Sequence, residues 1–171
     1  MFCDIVGFTT FCDKNQDEPH TVVDKLRNLF ESFEQSAEDH KVVKIKTIGD
    51  CFMAACWAED VMNNVESCIR CAMEMRNAAA AEDWKLRIGI HYGTVVAGKV
   101  GNRQYCFDLW GDAVNTAARV QTAANIDTIT LSHAAFECVE TTCRAIDRGD
   151  VLVSGKEKPI RMYEFLDFWP K

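Results

Sequence analysis

The order of strand-like and helix-like segments limits this chain to a mixed α+β fold. An apolar run at residues 1–6 predicts a strand, and apolar residues at helical spacing follow through 21–38. The next segment predicts a hairpin that turns at Gly49-Asp50. A second helical pattern begins at Val61. Strands joined by helices and hairpins favour an α+β sandwich, with helices packed on a mainly antiparallel sheet.

The second half of the chain continues with shorter segments. KLRIGIHYGTVVAGKVG predicts another strand pair, turning at Gly93. We expect a helix over 112–123, short strands at 128–131, 143–147 and 162–168, and a small helix at 133–139. We treat residues 1–171 as a single domain. Since its first strand begins at residue 1, we expect it to be a module from a longer, multidomain protein.

Composition narrows the class of protein further. Of the 171 residues, 48% are apolar and 26% are charged, which suits one domain with an ordinary core. The net charge of −7 argues against a nucleic-acid partner, because such binding depends on clustered cations. No apolar run approaches the roughly 18 residues of a membrane span. We therefore expect a soluble, cytoplasmic domain that makes no membrane contact through this segment.

The nine cysteines do not indicate a disulfide framework. Their number is odd, their spacing is irregular, and many lie in apolar stretches. Cys68 and Cys71 form a CxxC pattern, but no second pair and no nearby histidine complete a zinc site. We interpret the cysteines as reduced, mostly buried thiols.

Two aspartates stand out because of where they fall. Asp4 interrupts an apolar strand, and an isolated buried carboxylate costs several kcal/mol. Asp50 follows Gly49 at the predicted hairpin tip, where aspartate is also ordinary turn chemistry. If the strands are neighbours, the carboxylates converge and suit Mg²⁺ or Mn²⁺, whose remaining ligands are water and substrate phosphates. The GFTTF segment after Asp4 can direct backbone N–H groups at an anion.

Three stretches of sequence carry a resemblance to a known family: FCDIVGFTTF, KIKTIGDCFMA and RIGIHYGTVVAGKVGNRQYCFDLWGDAVNTAARV. In order and separation they resemble the catalytic domain of class III nucleotidyl cyclases, over residues 2–166. The resemblance implies a ferredoxin-like βαββαβ core and a head-to-tail dimer with active sites between the subunits. It also implies conversion of a nucleoside triphosphate to its 3′,5′-cyclic monophosphate and pyrophosphate.

The resemblance assigns the metal and catalytic roles residue by residue. Asp4, Asp50 and the carbonyl of Ile5 match the ligands of two Mg²⁺ or Mn²⁺ ions. Asn115 matches the residue that orients the ribose, and Arg119 matches the one that stabilises the transition state. The last two are four residues apart, so on a helix they point to the same side.

Further residues match positions that hold the substrate. Arg103 and Lys156 match the cations on the β- and γ-phosphates, although Lys158 is close enough to take the place of Lys156. The GFTTF loop adds Phe8 and Thr9 as substrate-binding residues.

Lys46 and Asp108 match the two positions that read the base. A Lys donor beside an Asp acceptor complements the N1 acceptor and 6-amino donor of adenine. Guanine presents the opposite pattern, and mismatched buried polar groups cost ~1–3 kcal/mol each. In the guanylyl branch of the family, Glu and Cys or a similar small residue occupy these positions. Cys106 lies two residues before Asp108 and should share its strand face, so we do not assign it to base reading. The predicted substrate is ATP.

The complete set of site residues on one chain predicts a homodimer with two equivalent sites. Mammalian membrane-type cyclases of this family divide the set between two unlike halves. Two alternatives stay open: a guanylyl or dual-substrate cyclase, and a regulatory module that binds nucleotide without turnover. The latter predicts a missing metal aspartate or arginine, and neither is missing. We expect regulatory domains elsewhere in the parent chain.

Overall fold

The computed structural model describes residues 1–57, 60–101 and 106–170. The strands are β1 Phe2–Ile5, β2 Val43–Ile48, β3 Cys51–Ala55, β4 Leu86–Ile90, β5 Val96–Val100, β6 Cys106–Trp110, β7 Thr128–Ser132, β8 Cys143–Val151 and β9 Ile160–Phe168. The helices are α1 Phe8–Lys14, α2 Pro19–Asp39, α3 Val61–Ala81, α4 Asp112–Thr122 and α5 His133–Glu137.

Seven strands form one sheet in the order β2-β3-β1-β4-β7-β9-β8. Only the β4–β7 pair among them is parallel, and the other neighbours are antiparallel. The first four strands of the sheet, with the α1–α2 segment and α3 as crossovers, give the ferredoxin-like βαββαβ arrangement. The predicted α+β fold with a mainly antiparallel sheet is confirmed.

The core lies on both faces of the sheet. Successive side chains of β1 alternate, so Cys3 packs with α2 and α3 while Phe2 packs with Leu109 of β6 and Ala117 of α4. Asp4 is two residues from Phe2 and therefore shares the face that carries α4 and β6. This face of the sheet positions most of the predicted site residues.

A glycine in β4 determines how closely α4 approaches the sheet. A Cβ atom at Gly89 would lie 2.1 Å from the backbone nitrogen of Gln121, a distance that no side chain tolerates. Gly89 is also the register partner of Phe2, on the same face. The absence of a side chain at Gly89 lets the backbone of α4 rest directly on β4.

The strand pair predicted around Gly93 is wrong. β4 lies inside the main sheet between β1 and β7, whereas β5 pairs with β6 in a separate two-stranded ribbon. Alternating apolar residues identify strands but do not specify their partners, because pairing is decided by tertiary contacts. The predicted hairpin at Gly49-Asp50 is confirmed, with β2 and β3 antiparallel and Gly49 at φ 62°.

The GFTTF segment contains the start of a short helix as well as a turn. Gly7 takes a left-handed conformation, with φ 79°, and α1 begins at Phe8. The aromatic rings of Phe8 and Phe11 pack on Trp84, which precedes β4 in the chain. This contact with a distant residue stabilises a helix too short to be stable alone.

The nine cysteines are all free thiols. Cys68 and Cys71 are buried in α3, and burial raises the pKa of the first to about 11 and of the second to about 12. Both are therefore protonated at neutral pH. Within the described part of the chain, no helix has the length and apolar character needed to cross a bilayer.

Candidate active site

Asp4 and Asp50 lie side by side at one end of the sheet. Asp4 is paired with Cys51 at the end of the β1–β3 ladder, and Asp50 directly precedes Cys51 in the β2–β3 turn. On its other side Asp4 faces Arg87 of β4. Burial and then the charge of Asp50 raise the pKa of Asp4, whereas Arg87 acts to lower it. The two carboxylates therefore converge, as predicted, and repel each other.

This donor set suits a hard divalent cation. Within the described ranges, no third Asp, Glu, His or Cys side chain joins the two aspartates in a metal-binding group. The side chain of Ile5 is buried, so only its backbone carbonyl is available as a further ligand. Two carboxylates and a carbonyl leave the remaining positions to water or substrate oxygens, a pattern usual for Mg²⁺.

The loop after Asp4 continues directly into α1, and its Phe8 and Thr9 differ in their surroundings. The ring of Phe8 is engaged with Phe11 and Trp84, while Thr9 is exposed in the first turn of α1. Phe8 thus has a structural role that sequence reasoning did not assign. The backbone N–H of Phe8, in the first turn of α1, is available to a ligand.

Lys46 and Asp108 are brought together from two different sheets. The ammonium group of Lys46, on β2, donates to Oδ2 of Asp108, on β6, at 2.5 Å. The backbone N–H of Leu109 donates to the other carboxylate oxygen at 2.8 Å. The bond from Lys46 is the main reason that the pKa of Asp108 is lowered, so the carboxylate is ionised at neutral pH. A group that only donates hydrogen bonds, the Lys46 ammonium, thus lies next to one that only accepts them, the Asp108 carboxylate. Both side chains are partly exposed to solvent.

The ribbon places Cys106 where the sequence predicted. β5 and β6 pair without a register shift, so Cys106 and Asp108 lie on the same strand face. Cys106 is exposed, but Asp108 is the one bonded to Lys46.

Asn115 and Arg119 project from the outer side of α4. The opposite side of this helix is buried against the sheet through Thr116, Ala117 and Val120. Asn115 and Arg119 are both exposed and are one helical turn apart, so they can contact the same ligand. The guanidinium group of Arg119 lies against Gly155, in the turn between β8 and β9.

The same turn brings Lys156 to the beginning of α4. Its ammonium group donates to both carboxylate oxygens of Asp112, at 2.5 and 2.7 Å. Lys158 is exposed, and among the described residues it forms no ion pair. The geometry thus favours Lys156 over Lys158 as the cation beside Asn115 and Arg119. The predicted phosphate-binding Arg103 lies outside the described residues.

Sequence reasoning missed three residues that shape this site: Arg87, Asp112 and Gly155. An acidic residue in the first turn of a helix ordinarily complements the helix dipole, so Asp112 gave no signal of its pairing with Lys156. Arg87 begins the third family stretch, but an arginine in a strand gave no sign that it would face Asp4. A glycine in the polar segment SGKEKP is ordinary turn composition.

Comparison with known proteins identifies the family. The family described as adenylate and guanylate cyclase catalytic domain matches residues 1–166. The chain belongs to this family of class III cyclase catalytic domains. A solved structure with the same fold is that of the adenylyl cyclase CyaB from P. aeruginosa, with a TM-score of 0.91 and 22% identity. The likeness covers 97% of this chain and 91% of the CyaB chain.

Curated relatives include both kinds of cyclase. The human guanylate cyclase soluble subunit beta-2 is 32% identical over 165 residues, covering 91% of this chain and 26% of the relative. An adenylate cyclase of Mycobacterium bovis is 31% identical over 163 residues, covering 91% of this chain and 36% of the relative. The chain therefore spans about a quarter to a third of the length of these relatives. Similarity alone does not distinguish ATP from GTP as the substrate.

Proposed function

We propose that this domain is an adenylyl cyclase, which converts ATP to 3′,5′-cyclic AMP and pyrophosphate. The observation that carries the proposal is the contact between Lys46 and Asp108. Because the family includes enzymes for both nucleotides, the choice of substrate has to be argued from the polar groups of the site.

The Lys46–Asp108 pair complements the edge of adenine. An ammonium group only donates hydrogen bonds, and an ionised carboxylate only accepts them. Adenine offers an N1 acceptor to Lys46 and a 6-amino donor to Asp108. Guanine would set its N1–H against the Lys46 ammonium and its O6 against the Asp108 carboxylate. The low pKa of Asp108 keeps the carboxylate from acting as a donor to O6 at neutral pH.

The residues around α4 act on the sugar and phosphates. In the reaction, the ribose 3′-oxygen attacks the α-phosphorus, the bond to the bridging oxygen breaks, and pyrophosphate leaves while the hydroxyl proton passes to solvent. Asn115 orients the ribose, and Lys156 binds the leaving phosphates. Arg119 forms no hydrogen bond or ion pair with the described residues, so its N–H groups are available to the α-phosphoryl oxygens, where charge develops.

Asp4, Asp50 and the Ile5 carbonyl would hold two Mg²⁺ or Mn²⁺ ions. When bound, such ions lower the pKa of the ribose hydroxyl and offset the charge of the triphosphate. The repulsion between the two carboxylates supports this assignment, because a bound cation would offset it. Gly7, Phe8 and Thr9 can then present backbone N–H groups to the phosphates.

We also propose that the domain works as a homodimer with active sites shared between subunits. The β5–β6 ribbon carries large apolar side chains that are exposed in the single chain, with Val96 at 66% and Val100 at 62% exposure. Phe107 and Trp110 add aromatic surface to the same ribbon. Exposed apolar surface of this kind is typical of an interface. We further propose that the domain belongs to a longer chain with regulatory domains. We also propose that it is located in the cytoplasm.

Product formation from ATP and from GTP tests the proposed substrate. We expect the wild type to make cyclic AMP, and the Lys46→Glu, Asp108→Cys double variant to shift towards cyclic GMP, since both polar contacts are changed to suit guanine. Each assay would be run with Mg²⁺ and with Mn²⁺. Lys44→Glu is the matched control, because Lys44 is on the same strand but pairs with Glu34. It should leave the product unchanged.

Two results would count against the proposal. Cyclic GMP as the main product of the wild type would assign the domain to the guanylyl branch. Binding of ATP without any cyclic product, in a dimer verified by ultracentrifugation, would favour the regulatory-module alternative.

A further inference from the structure

The guanidinium group of Arg119 rests against a residue that has no side chain. A Cβ atom at Gly155 would lie 3.3 Å from Nη2 of Arg119, 3.8 Å from Cζ and 4.0 Å from Nε. Three atoms of the guanidinium group thus lie within contact distance of the position that a Cβ atom of residue 155 would occupy. The space that a methyl group would need at this position is bordered by the guanidinium group.

Packing, more than hydrogen bonding, determines where this guanidinium group lies. Arg119 is exposed, and among the described residues it has no hydrogen-bond or ion-pair partner. A long, unpaired side chain samples many rotamers unless a surface restricts it. The backbone at Gly155 is such a surface, so its position influences the average orientation of Arg119.

The turn that contains Gly155 is itself bonded to α4 through Lys156 and Asp112. Lys156 is held by both oxygens of Asp112, and its backbone N–H donates to the carbonyl of Val153 at 3.3 Å. Gly155 has φ +76°, a left-handed conformation that glycine adopts without strain. The turn is therefore a defined platform beside Arg119.

We propose that Gly155 is a positioning residue for Arg119. A side chain at position 155 would push the guanidinium group by a few tenths of an ångström, away from the orientation that meets the α-phosphate in the transition state. This inference rests on the proposed function, since it takes Arg119 to stabilise the transition state. Gly155 itself touches no reacting atom in this assignment.

Gly149, in β8, provides a matched control six residues before Gly155. It also has a left-handed backbone, with φ +70°, but a Cβ atom there would meet nothing within 4 Å. Alanine at either position adds a methyl group and comparable backbone strain. Only at position 155 does the methyl group meet Arg119.

Steady-state kinetics of the two alanine variants form the first test. We expect Gly155→Ala to lower kcat about tenfold while KM for the nucleotide changes by less than about twofold, because misorientation affects the transition state most. Gly149→Ala should leave kcat unchanged. Both alanine variants should lower Tm by similar amounts, since both place a side chain on a left-handed backbone. In an Arg119→Ala background, Gly155→Ala should cause no further loss.

Two kinetic results would overturn the proposal. The first is an equal loss of kcat in both glycine variants, which would point to backbone strain alone. The second is a tenfold loss that persists without Arg119. If Gly155→Ala fails to fold, Gly155→Asn and Gly149→Asn replace the pair, since asparagine tolerates a left-handed backbone better.

A measurement independent of turnover separates this inference from the proposed function. Arg119→Lys identifies the Nε–Hε resonance of Arg119 by its loss from the ¹⁵N spectrum. We expect this resonance to shift in Gly155→Ala and to stay in place in Gly149→Ala. An unmoved resonance in Gly155→Ala would refute the positioning role even in an active enzyme. A wild type without cyclase activity would refute the proposed function, while the spectrum would still decide whether Gly155 orients Arg119.

Discussion

Two regions of the site carry opposite charges and are held in place by different means. The carboxylate corner, formed by Asp4 and Asp50, lies where β1 meets the β2–β3 turn, and the backbone hydrogen bonds of the sheet keep its residues together. The cation row, formed by Arg119 and Lys156, is assembled from α4 and the β8–β9 turn. It is held by the side chain of Asp112 and by packing on Gly155.

This difference indicates how each region responds to a ligand. In the carboxylate corner, the sheet forces two like charges together, so a bound cation relieves repulsion that the fold already contains. In the cation row, the ammonium group of Lys156 is already bonded to Asp112, so an anion bound there would compete with Asp112 for Lys156. The first region thus combines two charges of the same sign, whereas in the second a carboxylate already balances one of the two cations.

The largest expected effect comes from removing one charge from the carboxylate corner. We expect Asp4→Asn to lower cyclase activity by about 10³-fold or more, because a ligand of the proposed metal ions is lost. Without divalent ions the same variant should have a higher Tm than the wild type, since the repulsion with Asp50 is gone. Activity assays and thermal unfolding in EDTA test both effects.

The change in Tm on addition of Mg²⁺ tests whether Asp4 is a metal ligand. A ligand that binds only the folded state stabilises it, so Mg²⁺ should raise Tm of the wild type but not of Asp4→Asn. Asp150→Asn, at an exposed position of β8, is the control and should behave like the wild type. An equal change in the Tm of all three proteins on addition of Mg²⁺ would contradict the assignment of the carboxylate corner as a metal site.

A mixing experiment tests whether the two regions come from different subunits. Asp4→Ala and Arg119→Ala should each be almost inactive alone. If sites are shared, random mixed dimers contain one intact site, and activity should return to about a quarter of the wild-type value. No recovery in a verified mixed dimer would mean that the corner and the row act within one chain.

The smallest expected effect concerns the tie between Asp112 and Lys156. The hydrogen bond from Lys156 lowers the pKa of Asp112 below its usual 3.8. A carboxylate with a lowered pKa stabilises the fold above that usual value, and the contribution is lost as pH falls through the lowered pKa. Asp112→Asn should therefore lower Tm by about 1–3 °C at neutral pH, because the ion pair is exposed.

Urea unfolding at several pH values measures this contribution. The difference between wild type and Asp112→Asn should be present at pH 7 and should vanish at strongly acidic pH. Asp24→Asn removes another exposed ion pair, with Arg27 on α2, and controls for a general effect of charge. A difference for Asp112→Asn that persists unchanged in acid would show that the tie is not electrostatic.

Much of this fold could be predicted from the sequence because its signals are local. The β2–β3 hairpin follows from Gly49-Asp50 between two apolar segments, and α4 follows from helical spacing after Gly111. Which strands pair with each other was harder to predict from the sequence. The segment around Gly93 has the alternation of a strand pair, yet β4 and β5 lie in separate sheets, because partners depend on contacts far along the chain.

The sequence by itself determined the family, the α+β class and the identity of the candidate site residues, since these depend on residue types in a fixed order. Only the tertiary structure decided that Asp4 faces both Asp50 and Arg87, that Lys46 meets Asp108, and that Lys156 rather than Lys158 reaches α4. The residues in each of these last two contacts are separated by tens of positions in the chain. Distance along the chain does not define distance in space, because strand order and the seating of α4 on Gly89 bring those residues together.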